Sequence, residues 1–303
     1  MLTRAAPKPG TSARRRGYSV VEVMVAVAIM SILIALLLPA IQAIHQQARS
    51  TQCANNLMQI GLALANYAST HSVLPPGVVD AQGPIKNLPS GCHHSWTVQI
   101  LPYLGLENIY RHIDMNRGVY DASNQTALDA RIAVFLCPAS ALPGPSNYAG
   151  CHHHVEAAID AQNHGVLYLN SHVRLDEIPD GSSRTILAGE FASGMSSLGW
   201  ASGTRSSLRN TGATINIGDW PEGSSFHPPS KWNSRDLPGV AALVKSGALP
   251  LGFVGGFSSF HPDGANFLFC DGSARFLKQS IDAAVYRRLG DRADGEIVGD
   301  DAY

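Results

Sequence analysis

The chain has 303 residues, 45% of them hydrophobic and 15% charged, and a formal net charge of −1. That length holds one large domain or two small ones with a sizeable core, and the neutral balance supplies no basic face for nucleic acid. Five cysteines are too few for a disulfide scaffold, and the odd count leaves at least one thiol unpaired in a monomer. Gly (29) and Pro (18) are common, which suits a loop-rich, strand-containing head better than a helical bundle.

Lys8, Arg14, Arg15 and Arg16 precede an apolar run in which, from Val20 to Leu38, only Glu22 and Ser31 are polar. About 20 such residues cross a bilayer as a helix. A signal peptide has a shorter apolar region, roughly 7–15 residues, and ends in a small-residue cleavage site; neither feature fits. Just after the run the only basic candidates are His45 and Arg49. The charge bias therefore predicts a single span with a cytoplasmic amino terminus and the rest outside. A carboxylate at mid-membrane costs on the order of 2.5–3.5 kcal/mol, which makes Glu22 a functional candidate. The plainer reading is a side chain that snorkels to the headgroups.

Pro39 falls where a helix of this kind bends, because proline removes one backbone bond and clashes with the preceding turn. Ile41, Ile44, Ala48, Cys53, Leu57, Ile60, Leu64 and Tyr67 then recur at helical steps and predict one packed stripe. Pro75-Pro76-Gly77 stops the helix near His71.

Beyond it, "SWTVQILPYL" from Ser95 reads as strand or helix, "LENIYRHID" as helix and "RIAVFLCP" as a short buried strand. Residues 192–252 are rich in Gly, Ser and Pro and predict a long irregular insertion. "ANFLFCDGSARFL" predicts a hairpin whose two-residue turn is Asp271-Gly272. Ile281 to Leu289 predicts a last helix.

"GCHHSW" carries Cys92, His93 and His94, and "GCHHHVE" carries Cys151, His152, His153, His154 and Glu156. Two Cys-His-His groups form a candidate Cys2His2 site that zinc or copper accepts. In an oxidising compartment the plainer expectation is a Cys92–Cys151 disulfide with the histidines exposed beside it; free thiols are the third. No G-x-S-x-G, H-E-x-x-H, phosphate-loop or C-x-x-C motif is present, so the sequence offers no enzymatic constellation.

Gly17-Tyr18-Ser19-Val20-Val21-Glu22 resembles the cleavage and methylation motif of type IV prepilins and type II secretion pseudopilins. The resemblance implies that prepilin peptidase cuts after Gly17 and that the new amine of Tyr18 is methylated, with Tyr18 standing where Phe is usual. It also gives Glu22 a partner, the ammonium of a neighbouring subunit, which makes a buried charge tolerable. "ARSTQCANNLMQIGLAL" from Ala48, "VLPPG" from Val73, "FLCPAS" from Phe135, "SNYAG" from Ser146, "IPDGSSRTILAGE" from Ile178 and the segment from Phe257 to Asp282 extend the likeness. Together they resemble a planctomycete-type family of G-like pseudopilins with a domain of unknown function. Its closing signature is a His, nine residues and Asp-Gly, here His261 to Asp271-Gly272.

The resemblance implies an α+β pilin-like fold: a long amino-terminal helix packed on an antiparallel sheet. The expected organisation is a leader at 1–17, a membrane part at 18–39, an outer helical half at 40–72 and a head at 73–303. Cys53 and Cys137 lie in family-like contexts and are a candidate pair joining helix to head, while Cys270 is expected to be a buried strand thiol. His261 and Asp271 are either a ligand site or, more simply, a loop hydrogen bond and a turn residue. The tail "DRADGEIVGDD" is either a calcium loop of the kind some pseudopilins carry or a solvated end. The histidine clusters depart from the family pattern. The expected function is a non-enzymatic subunit that assembles with other pilin-like subunits in a secretion or pilus-like system. The competing expectation is a membrane-anchored binding module for a polymer or metal that uses the leader only for export.

Overall fold

The computed structural model describes residues 19–140, 144–192, 198–216, 250–296 and 298–299. Helix α1 (Val20–His71) stays helical through Pro39. The chain divides into two compact units, one ending at His45 and the other beginning at Gln46. In the first unit every apolar side chain of α1 is exposed. The most apolar 18-residue window has a mean hydropathy of 2.8 and none of it is buried, so by length and composition this stretch can cross a membrane.

In the second unit α1 is part of the head. Its buried face is Cys53, Asn56, Leu57, Ile60, Gly61, Ala63, Leu64 and Tyr67. The predicted stripe is therefore half right: Ile41, Ile44 and Ala48 are exposed because they precede the contact with the sheet. Each fully buried Leu or Ile contributes about 1.5–3 kcal/mol relative to exposure.

Strands β1 (Val78–Val79) and β2 (His94–Ser95) form a small pair. The main sheet comprises β3 (Tyr148–His153), β4 (Ile186–Glu190), β5 (Leu208–Asn210), β6 (Gly264–Phe269) and β7 (Ala274–Lys278), in the order β5-β3-β4-β6-β7. All its pairings are antiparallel except that of β3 with β5. Alternation along β6 feeds two cores. Leu268 joins Leu57, Ile60 and Leu64 of α1. Ala265, Phe267 and Phe269 join Tyr286 and Leu289 of the carboxyl-terminal helix, Ala283–Gly290. The result is helix, sheet and helix in three layers, with both sheet faces buried. Gly61 lets α1 lie close on β6, since a Cβ there would sit 2.8 Å from Leu268 Cδ1.

Several segments differ from expectation. "RIAVFLCP" holds a 3-10 turn, Ala133–Phe135, not a strand: Phe135 N–H reaches back to the Ile132 carbonyl and no sheet neighbour is offered. "SWTVQILPYL" resolves into helical turns Trp96–Gln99 and Leu101–Leu104, begun by the Ser95 cap and tightened by Pro102. The expected irregular insertion lies largely outside the described residues, but its part at 198–216 is packed and supplies β5. Four residues, Cys270–Ser273, separate β6 from β7, so the turn is longer than the expected Asp-Gly pair. Gly272 is still the residue at positive φ (84°), the conformation that favours glycine.

A disulfide joins Cys53 of α1 to Cys137, which follows the Ala133–Phe135 turn. Beside it Asn56 Nδ2 donates to the Leu136 carbonyl (3.1 Å) and to Tyr148 Oη (3.2 Å), and Tyr148 Oη donates to the Cys53 carbonyl (3.4 Å). Helix, loop and β3 are thus held by covalent and polar bonds together. With a sequence separation of 84 residues, the chain-entropy treatment gives this bridge about 4–5 kcal/mol. The Cys53→Ala/Cys137→Ala protein should unfold in urea with that much less stability, followed by the fluorescence of buried Trp96 and Trp200. An unchanged midpoint would contradict the clasp.

Candidate functional site

Three places carry residues that the sequence marks out. The first is the start of α1. Gly17 and Tyr18 lie outside the described residues. Ser19 is the residue before the helix, and Glu22 stands in its first turn. Glu22 Oε2 accepts from Ser19 N–H (2.8 Å), and Ser19 Oγ accepts from Val21 N–H (3.3 Å). This is a reciprocal cap at a helix end whose amides have no internal partner. A negative charge is also favoured there by the helix dipole. This cap, which was not anticipated from the sequence, explains part of why an acid opens an apolar helix.

The second place is the signature. His261 is 5% exposed and Glu190, at the end of β4, is 2% exposed. His261 Nε2 lies 3.1 Å from Glu190 Oε1 and 3.6 Å from Cys137 Sγ. Glu190 Oε2 accepts from Asn266 N–H (2.8 Å), and Oε1 accepts from Asn266 Nδ2 (3.1 Å), which also reaches Ser50 Oγ of α1 (3.3 Å). Cys53, Cys137, Glu190 and His261 therefore form one buried cluster. Asp271 is elsewhere, past the other end of β6. Its Oδ1 accepts from Ser273 N–H (2.9 Å) and Ser273 Oγ (2.7 Å), and its N–H donates to the Ser182 carbonyl (3.0 Å). The two ends of the signature thus serve different ends of one strand, and no ligand site joins them. Glu190 was missed in the sequence because nothing local marks a lone Glu at a strand end.

The third place is the pair of Cys-His-His groups, which do not make one site. Cys92 and Cys151 are unbridged. Cys151 is fully buried against the carboxyl-terminal helix, its thiol near the carbonyls of His153 and Gly290 (3.7 Å each), and burial pushes it up to about 12. Cys92 is held on a loop, its N–H donating to Asp80 Oδ2 (2.7 Å). The expected Cys92–Cys151 bridge and the Cys2His2 site fail for the same reason: Cys151 is fixed in β3 and Cys92 on a loop held by Asp80, each with its own partners. His93 Nδ1 meets Tyr120 Oη (2.9 Å), and its Nε2 lies 3.6 Å from Asp80. His94 Nε2 takes the Arg117 carbonyl (2.7 Å). His152 is fully buried on Asn163 Oδ1 (3.0 Å), and burial pushes it down to about 3. Only His153 and His154 come together, and they are joined by His164, which no sequence motif marks.

Cys270 is a buried thiol just past β6, raised well above its usual range by burial. In the tail, Asp291 faces His154 and His164, while Asp294 and Gly295 donate their N–H groups to Asp180 (2.8 and 3.0 Å). Through Gly295 the tail is tied down rather than frayed. Asp291 and Asp294 take different partners, Asp291 the histidines and Asp294 the Glu296 N–H; Asp300 and Asp301 of the expected calcium loop lie outside the described residues.

A family model described as "Protein of unknown function (DUF1559)" matches residues 42–284, and one for the prokaryotic N-terminal methylation motif matches residues 12–38. No curated protein and no solved structure matches the chain.

The buried carboxylate makes a direct test. Glu190→Leu strands His261 Nε2 and the Asn266 donors and should cost about 3–5 kcal/mol. Asp271→Asn keeps the turn's acceptor and should stay within about 0.5 kcal/mol. Urea unfolding of the two variants checks this; a neutral Glu190→Leu would mean the cluster carries no load.

Proposed function

Because the chain belongs to the DUF1559 family and carries the N-terminal methylation motif at residues 12–38, we propose that it is a non-enzymatic, pseudopilin-like subunit of a secretion or pilus-like system. The coarser part of this reading rests on the motif: a pilin-like, N-terminally processed, exported and membrane-anchored protein. The finer part rests on one observation. From Val20 to Ile44 the apolar side chains of α1 are exposed, whereas the same helix from Cys53 onward is built into a disulfide-clasped head. An apolar surface of that size needs lipid or neighbouring helices around it. In this reading prepilin peptidase cuts between Gly17 and Tyr18, the anchor enters the inner membrane with the head outside, and the freed amine of one subunit pairs with Glu22 of the next.

Glu22 now has two roles to separate, its own helix cap and a neighbour's amine. Glu22→Gln keeps an oxygen for the cap and removes the charge; Glu22→Val removes both. If pairing drives assembly, both variants insert normally and both lose cross-linked oligomers in membranes. Oligomers retained by Glu22→Gln but not by Glu22→Val would assign the residue to capping alone. Unchanged oligomers in both, or a protein that is monomeric throughout, would favour the anchored binding module.

Processing is tested independently. Gly17→Val puts a branched side chain at the cut and should leave the leader attached. Mass spectrometry of the mature terminus reads the result, and a chain that still begins at Tyr18 would overturn the cleavage assignment.

A further inference from the structure

At one edge of the head three imidazoles and a carboxylate meet. His153 ends β3, His154 follows it, His164 lies in the loop that comes back alongside, and Asp291 follows the carboxyl-terminal helix. The ring centroids of His153 and His154 are 4.6 Å apart, those of His153 and His164 5.1 Å, and those of His154 and His164 5.2 Å. Each ring offers one nitrogen, and these nitrogens lie within 4.8 Å of one another. Asp291 Oδ2 is 2.8 Å from His154 Nδ1 and 3.1 Å from His164 Nδ1. The carboxylate is buried, with a side chain 6% exposed, while that of His164 is 56% exposed. The cluster is anchored from within and open to solvent.

We propose that His153, His154, His164 and Asp291 form a binding site for a divalent transition metal of the zinc class. Three imidazoles with one carboxylate match the donors of zinc, copper or nickel, whereas calcium and magnesium take oxygen. Tetrahedral zinc with bonds of about 2.0–2.1 Å keeps its donor atoms about 3.3 Å apart. Asp291 is already near that spacing from two rings, and the imidazole nitrogens have at most about 1.5 Å to close. His164 N–H donates to His153 Nδ1 (3.1 Å), so a cation that takes this nitrogen replaces an amide as its partner and leaves the ring's other N–H in place.

The surroundings hold the donors in position. Asp291 Oδ1 accepts from Ala293 N–H (3.0 Å), which fixes the carboxylate. Arg292 donates to the carbonyls of Asn163 and Gly165 (2.8 Å each), which pins the chain on both sides of His164. Such supporting bonds orient ligands before the metal arrives. Positive charge on Arg292 and Arg287 opposes a cation here, and Asp291 and Asp294 offset it. A bound metal would tie the end of the last helix to the end of β3. This inference rests on side-chain placement alone and stands whether or not the protein assembles into filaments.

The test uses the full chain in detergent, stripped with chelator and titrated with zinc alone by equilibrium dialysis and elemental analysis. One zinc per chain with micromolar or tighter affinity is expected, and cobalt in its place should show the absorption bands of a tetrahedral site. His164→Gln alters an exposed side chain, so the urea midpoint should hold while zinc affinity falls at least about tenfold. His112→Gln, at an exposed histidine elsewhere, should leave affinity unchanged. Failure of the wild type to hold stoichiometric zinc would overturn the proposal, as would equal affinity in His164→Gln or an equal loss in His112→Gln.

Discussion

A carboxylate removed from water dictates much of the head. Glu190 ends the central strand β4 with 2% of its surface exposed. Taking such a group out of water costs several kcal/mol unless its oxygens are answered. His261, the Asn266 amide and the Asn266 side chain answer them. To do so, the loop before β6 must turn inward at His261 and β6 must begin in one register against β4. The disulfide to Cys53 lies against the same cluster and brings α1 over it, with Ser50 touching Asn266. One buried acid thus couples the helix, two strands and a loop, and its neighbours exclude the water that would otherwise relieve it.

The apolar side of the architecture follows a simpler rule. A sheet flanked by helices must bury both faces, and alternation along β6 divides its residues between α1 and the last helix. Polar bonds between Asn56, Tyr148 and the Leu136 carbonyl add to this packing where α1 meets the sheet. At its amino end α1 has no such contacts in its own unit. There a serine and a glutamate cap the helix, and its side chains stay exposed. The same helix therefore carries two environments, and the change occurs between His45 and Cys53, where hydrophobicity gives way to a one-sided stripe.

What the sequence made legible was whatever repeats with a period or sits in a short motif. The apolar run, the end of α1 near His71, the β6–β7 hairpin and the last helix all have local signals, and the structure contains each of them. The bridge between Cys53 and Cys137 was anticipated only through family-like context, since no spacing rule pairs residues so far apart. The stripe was read as starting at Ile41 because helical periodicity does not reveal where a partner surface begins. Cys92 and Cys151 looked like partners because their flanking residues match, yet a pairing depends on where the chain carries each cysteine, and one lies in β3 while the other is on a loop held by Asp80. His164 escaped notice for the converse reason, and Asp291 was read only as the first acid of a candidate calcium loop or solvated tail. Only the return of the chain past β3 and the end of the last helix bring them beside His153 and His154.

The covalent map of the membrane-anchored protein tests this account most directly. The head is clasped to its own helix through one bridge beside the buried Glu190–His261 pair, and the proposed export would keep that bridge oxidised. Peptide mapping of non-reduced protein taken from membranes should recover Cys53 joined to Cys137, with Cys92, Cys151 and Cys270 as free thiols. Recovery of a Cys92–Cys151 bridge, or of Cys53 and Cys137 as free thiols, would contradict it.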